Sequence, residues 1–433
     1  MSKASMHSVE LGKASASFPI IDKYVIIPVS ACFFASVVSP LLLLAAGEND
    51  KTLNRPENRI VWPALAAISI VLALRNRSRL SRISLPPHVV CLLAYLLFAG
   101  TSVLWAFDPA VSFVRFVQQV MIVTSIVLPA MLADRSTDMM RGLFLCFAFA
   151  SMLNLFFVLG RPPSKIGYEG YFLQKNLLGE LTAIALILSL HEIFYPGLRR
   201  VLGMIVLIVA ALLLLLSKSK TSFGLALFAP LLAGLTLILV KSLRVSPVVV
   251  LLYIIGFSAS CYALLSSVFD FNIDDVSLFL FGDSTFTSRT LVWTFALKMI
   301  ERRPLLGWGY QSFWLVTPTV KSAVQPQGLM VTWIGTMPHA HNGYLDTLLE
   351  MGPVGLALLV IFIVATLHAI GRMAQHQTAG AWLVLSLALF IVIYNFLEST
   401  WMHSFDIAWV VFLILAAEIS RYREPVRLSG RPP

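Results

Sequence analysis

The chain of 433 residues is 58% hydrophobic and only 12% charged, and its mean hydropathy is +0.84. A soluble domain carries roughly 25% charged residues, so a soluble globular protein is excluded. The net charge of +10 is spread between apolar runs rather than along one polar face, which points to lipid or a phosphorylated ligand and away from nucleic acid.

Crossing the hydrocarbon core takes a run of roughly 17–25 apolar residues. Approximate spans fall at 24–46, 60–74, 87–105, 113–133, 142–160, 177–195, 201–216, 221–240, 247–268, 345–367, 380–397 and 404–420. The fold class is therefore an all-α polytopic membrane protein of about twelve transmembrane helices. Residues 1–23 form an N-terminal tail, 24–268 carry helices one to nine, 269–338 a long loop, 339–420 helices ten to twelve, and 421–433 a C-terminal tail. The first apolar run begins after Lys23 and is too long for the apolar core of a signal, so no cleaved leader is expected, although Ala45-Ala46-Gly47 imitates a cleavage site. Cys32, Cys91, Cys146 and Cys261 all lie inside apolar stretches, with neither metal-site nor disulfide spacing.

Lysine and arginine placement sets the orientation. The groups Arg75, Arg77, Arg79 and Arg82, then Arg199 and Arg200, Lys241 and Arg244, and Arg421, Arg423, Arg427 and Arg431 predict that both ends are cytoplasmic. Thirteen cations fall on the opposite side, among them Arg161, Lys165 and Lys175 in 160–176, Lys218 and Lys220 between spans seven and eight, and Arg289, Arg303 and Lys321 in 269–338. Cations kept where topology disfavours them predict a bound anion. The plainer alternative is an outer surface with some incidental positive charge, since long loops escape the rule.

In chain order, Lys175-Asn176 opens the sixth span, and Ser217-Lys218-Ser219-Lys220 joins the seventh to the eighth with almost no loop. Two lysines at that depth are costly unless they meet water or a partner, or snorkel from a hairpin tip. The loop 269–338 opens with Asp270, Asp274, Asp275 and Asp283; a short amphipathic helix follows, capped by Thr287 or Ser288 and stopped by Pro304. Arg289 stands in its first turn, where the helix dipole disfavours a cation. Its planar fork of donors beside free helix N–H groups suits a phosphate; the alternative is an interfacial arginine stacked on Trp293. Gly307-Trp308-Gly309-Tyr310 reads as a turn with aromatic interface anchors.

Pro338-His339-Ala340-His341-Asn342 begins the tenth span, with Pro338 suited to the first helical position. That start places the two histidines on different faces of the helix, so only one can readily serve a common reacting atom as proton acceptor, with Asn342 and Asp346 orienting substrate or neighbours; the alternative is a pair of interfacial histidines without a role. A His-x-His pair can hold metal, but no further external ligand follows at helical spacing, so no metal or other cofactor is expected. Glu180, Glu398 and Asp406 lie in or near spans and rank as lesser candidates.

Arg289-x-x-x-Trp293, Pro304-x-x-Gly307-x-Gly309, and His341-Asn342 followed by Gly352-x-x-Gly355 together resemble the signature of the O-antigen ligase and O-antigen polymerase (Wzy-like) superfamily. The wording around Phe286-Thr287, Phe313-Trp314 and His339–Leu345 looks closest to exopolysaccharide-production polymerases. The weaker matches, Trp105-Ala106-x-Asp108-Pro109, Lys175-Asn176-x-x-Gly179 and Ser217-x-Ser219-Lys220, extend it over most of the chain. The resemblance implies a GT-C-type fold in the bacterial inner membrane and a periplasmic catalytic loop. It implies metal-independent transfer of a glycan carried on undecaprenyl pyrophosphate, and it makes a chain-length regulator and export proteins expected partners. The essential loop arginine carries to Arg289 and the histidine to His341; the second arginine falls on Lys220, which keeps the charge without the fork. On this reading Lys175, Asn176, Lys218, His339, Asn342, Asp346 and Arg303 line the substrate site. The alternatives are a ligase that moves a finished glycan onto lipid A core or another acceptor, and a transporter, against which the chain shows neither internal repeats nor paired broken helices.

Overall fold

The computed structural model describes residues 23–46, 57–80, 84–133, 139–269, 289–314 and 337–422. The two outer parts of the tails, the acidic opening of the long loop, the expected cap at Thr287 or Ser288, and Arg82 and Lys321 lie outside them.

The described regular structure is helical apart from one isolated bridge between Ser164 and Gly167. In order the helices are α1 (Tyr24–Ala46), α2 (Asn58–Arg75), α3 (Pro87–Trp105), α4 (Pro109–Leu132), α5 (Met139–Gly160), α6 (Lys175–Glu192), α7 (Leu198–Ser217), α8 (Lys220–Leu243), α9 (Pro247–Val268), α10 (Arg289–Arg302), α11 (Gly343–His376), α12 (Thr378–Tyr394) and α13 (Ile407–Ile419). Among the described residues, nine of these are long and apolar enough to cross a membrane; α6, α12 and α13 occupy the other three expected positions. Polar residues explain α6, which carries Lys175, Glu180 and Glu192, while α12 and α13 are short. The eleventh and twelfth expected spans overran their helices because residues 395–406 form a turn-rich segment between them.

Burial does not follow span length: the short helices are the covered ones. Every residue of α13 is buried, and α6 and α12 are buried along most of their length, whereas only 11% of the apolar window of α9 is covered by protein. The core therefore sits around α6, α12 and α13, and α9 faces outward.

The starts of α4 and α13 are fixed by side-chain caps. Asp108 Oδ1 accepts from Ala110 N and Val111 N, each at 3.1 Å, with Pro109 beginning α4. Asp406 Oδ1 likewise accepts from Ala408 N at 2.9 Å at the start of α13.

Candidate functional site

α11 starts at Gly343, five residues later than Pro338 suggested, because Asn342 is its cap: Asn342 Oδ1 accepts from Tyr344 N at 3.1 Å and Leu345 N at 3.0 Å. Its side-chain oxygen is thereby committed to the helix start. Both histidines precede the helix, so they are not set on opposite faces of it. With His341 at φ 53°, the chain folds back, His341 N donates to His339 Nδ1 at 3.2 Å, and the two rings lie 4.3 Å apart. Asp346, buried one turn into α11, takes Ala340 N at 3.0 Å and Trp314 Nε1 at 2.7 Å. It holds the histidine loop against the turn after α10.

At the centre stands Glu398, in the segment between α12 and α13. Its Oε1 accepts from Arg289 Nη2 at 2.6 Å and from Asn176 Nδ2 at 2.8 Å, and its Oε2 lies 2.9 Å from His341 Nδ1. Gly343 N donates to the Glu398 and Asn395 carbonyls at 3.1 and 2.9 Å, and Asn342 N to Ser399 Oγ at 2.9 Å, so the carboxylate is fixed to the start of α11 by main chain as well. Arg289 is thus paired with a carboxylate, and Trp293, its partner in the alternative reading, donates from Nε1 to Ala340 O at 3.0 Å. A carboxylate at the N-terminus of α10 also offsets the dipole cost of a cation there. The His341 side chain keeps 25% of its surface open.

His339 and His403 flank the junction, with their rings 6.2 Å apart. Burial, then the charges of His341, His403 and Arg289, push His339 well below the usual histidine value. Burial and then Arg115 push His403 down to about 4. Both are neutral at pH 7, as His339 must be to accept the His341 N–H.

The second half of the site is a group of lysines. Lys175 and Lys220 are the first residues of α6 and α8, and Lys218 sits between α7 and α8 in the left-handed region at φ 53°. Lys175 Nζ donates to Ile166 O at 3.3 Å, and it is close enough to Lys220, Lys218 and Arg289 for their charges to repel it. Four cations therefore gather on one side of the bundle.

Arg303 is not in this group. Its Nη1 donates to Trp105 O at 3.1 Å and its guanidinium lies 4.3 Å from the Trp308 ring centre, so the structure gives it an anchoring place. The turn beside it is stitched to α11. Pro353 has no N–H to offer Leu349 O, and Gly352, at φ 63° and ψ −172°, interrupts the helix here. The turn supplies the missing donors: Trp308 N reaches Leu349 O at 3.1 Å and Gly309 N reaches Glu350 O at 2.7 Å. Gly307 at φ 67° permits this approach, since a Cβ there would lie 2.5 Å from the Glu350 carbonyl.

Of the residues singled out in the sequence, the fold thus brings His341, Arg289, Asn176 and His339 together around Glu398, sets Lys175, Lys218 and Lys220 near them, uses Asn342 and Asp346 as supports, and leaves Arg303 apart. Glu398 is the candidate residue that the sequence ranked too low; the signal was an ionisable side chain at the end of a membrane span. Among the described residues, no three His, Cys, Asp or Glu side chains are grouped as metal ligands would be.

Residues 202–360, from α7 through the long loop into α11, match the O-antigen ligase family. That match takes in under half of the chain and makes it similar to the O-antigen ligase and polymerase superfamily over those residues. A curated relative, the exopolysaccharide production protein ExoQ of Rhizobium meliloti (strain 1021), is 27% identical over 284 residues. That match covers 63% of this chain and 62% of the relative, so the chain spans less than two thirds of that protein's length. Arg289, His341, Lys218 and Lys220 fall inside the family match; Asn176 and Glu398, which complete the junction, fall outside it.

Proposed function

We propose that this protein is a member of the O-antigen ligase and polymerase superfamily and acts as an inverting, metal-independent membrane glycosyltransferase. It polymerises undecaprenyl-pyrophosphate-linked oligosaccharide repeat units into extracellular polysaccharide at the periplasmic face of the inner membrane. The observation that carries the reading is the Glu398 junction, where one carboxylate holds a guanidinium and an imidazole side by side. Glu398 Oε2 accepts the His341 Nδ1–H, which leaves Nε2 as the basic nitrogen for the acceptor sugar. His341 Nε2 takes the proton of the attacking hydroxyl, the new C–O bond forms at the anomeric carbon, and the bond to pyrophosphate breaks with its electron pair going to the departing oxygen. Attack from the opposite face inverts the anomeric centre. The charge that develops on pyrophosphate is met by the remaining Arg289 donors and by Lys220, with Lys218 and Lys175 behind them.

The joining of repeat units is supported by the exopolysaccharide production named for the 27% identical relative. The O-antigen ligase description of 202–360 supports the alternative of transfer to lipid A core or another acceptor. Purified full-length protein given lipid-linked repeat units alone is expected to yield a ladder of products that each differ by one unit, at an unchanged rate in excess EDTA. Turnover that appears only when a lipid A core acceptor is added would replace polymerisation with ligation, and loss in EDTA restored by a divalent ion would withdraw the histidine as base. A periplasm-only reporter is expected to be active when fused after residue 320 and silent after residue 430; activity at residue 430 would overturn the orientation. A chain-length regulator and export proteins are the partners such a polymerase takes.

A further inference from the structure

The other end of α11 carries a second feature, independent of the glycan chemistry. α3, α9 and α11 enclose a cavity of about 370 Å3. Its walls are apolar side chains such as Val248, Val360 and Val364, while His88, His368 and Arg372 also line it and no carboxylate does. His368 and Arg372 are one turn apart on α11 and so share a face. The distance from Val360 to Arg372 is twelve residues, about 18 Å of helix, which is close to the depth of one leaflet of a hydrocarbon core roughly 30 Å thick. At the base, Gly371 lies so close to α9 that a Cβ there would be 2.9 Å from Pro247 Cδ, which closes the slot below its basic end. Higher up α9 leaves the bundle, and Val360, Ile361 and Val364 are 42%, 52% and 41% exposed. Arg372 is close to the end of α11 opposite Gly343, so the cavity lies in the leaflet opposite the candidate site. Lys241 and Arg244, at the end of α8, stand at the same membrane boundary and add to its positive field.

We propose that this cavity is a binding site for one anionic glycerophospholipid of that leaflet, with an acyl chain along Val360 and Val364 and the phosphate against Arg372 and His368. An apolar slot one leaflet deep fits a hydrocarbon chain rather than a soluble anion. Its basic end selects the headgroup: Arg372, with His368 one turn away and no carboxylate among the lining residues, meets the headgroup level at the end of α11, whereas His88 is already bonded to Ala416 O and Ser420 Oγ at the end of α13; basic pockets between helices recognise anionic headgroups. A zwitterionic lipid fills the slot equally well and leaves that end uncompensated.

Full-length protein exchanged into micelles of neutral detergent, then titrated with phosphatidylglycerol or phosphatidylcholine and read by native mass spectrometry, tests the assignment. One phosphatidylglycerol is expected to be retained on the order of tenfold more tightly than phosphatidylcholine. Arg372→Gln should remove that preference, and Ala365→Phe, which fills the slot and leaves the cations in place, should weaken both lipids and provides a second test should Arg372→Gln fail to fold. Equal retention of the two lipids by the unaltered protein, an undiminished preference in Arg372→Gln, or undiminished binding in Ala365→Phe would each overturn the proposal. Displacement of the lipid by free glycerol phosphate would reassign the site to a soluble phosphate.

Discussion

The two cationic groups of the candidate site are built in opposite ways. Around Glu398 the guanidinium of Arg289, the imidazole of His341 and the amide of Asn176 share one carboxylate at 2.6 to 2.9 Å. At the α7–α8 tip, Lys175, Lys218 and Lys220 repel one another, and Lys175 leans on a main-chain carbonyl. The first arrangement fixes directions, and buried partners make it sensitive to shape. The second supplies charge, which depends on distance more than on orientation. Under the proposed function, geometry-dependent work falls to the Glu398 junction and charge-dependent work to the lysines.

The sharpest way to break this division is to remove the base. General acid–base help is worth about 10²–10⁴-fold, so His341→Ala should nearly abolish polymer in a purified assay. His339→Ala, which removes only the acceptor of the His341 N–H, should reduce it modestly. Equal losses in the two variants would place both rings on the reacting atoms.

Next in size is the arginine. Arg289→Lys should be nearly as damaging as Arg289→Ala, because one ammonium cannot keep the Glu398 contact and also grip two phosphate oxygens. Lys220→Arg should be tolerated, since charge is what that position supplies. If Arg289→Lys retained most of the activity while Lys220→Arg lost it, the contrast between the two groups would be reversed. Glu398→Gln sharpens the same point: it keeps an acceptor for Arg289 and Asn176 but removes the negative charge that stabilises His341 once it holds a proton. It should lower turnover more than substrate affinity, by less than His341→Ala does.

The smallest effect concerns pH. His403 sits at about 4 against an ordinary 6.5. Between those values the unfolded chain binds more protons than the folded one, so stability is lost as pH falls from about 6.5 toward about 4 and is unaffected above that window. His403→Gln should flatten that part of a thermal-midpoint profile in detergent; an unchanged slope would remove His403 as its source.

Much of the fold is legible in the sequence because a membrane span needs only a long apolar run. The helix ends are less so: Pro338 looked like the first residue of α11, yet Asn342 has the side-chain oxygen that captures the free N–H groups. Arg289, His341 and the lysines could be found because a cation or a histidine outside the membrane stands out by type. Glu398 could not be ranked, since its partners lie 109, 57 and 222 residues away and nothing local records that they converge. Arg303 stood out by type as well, and only packing shows that Trp105 and Trp308 occupy it.

The break in α11 at Gly352 has a consequence for how such a site can vary. The turn after α10 is moored by two main-chain N–H groups to two main-chain carbonyls, Trp308 to Leu349 and Gly309 to Glu350. Such a mooring is blind to side-chain identity except where a glycine or a proline is required. Side chains of the 289–314 segment other than those that also hold it, Trp293, Arg303 and Trp314 among them, can therefore change while the segment stays docked, much as a rail accepts different carriages without being relaid.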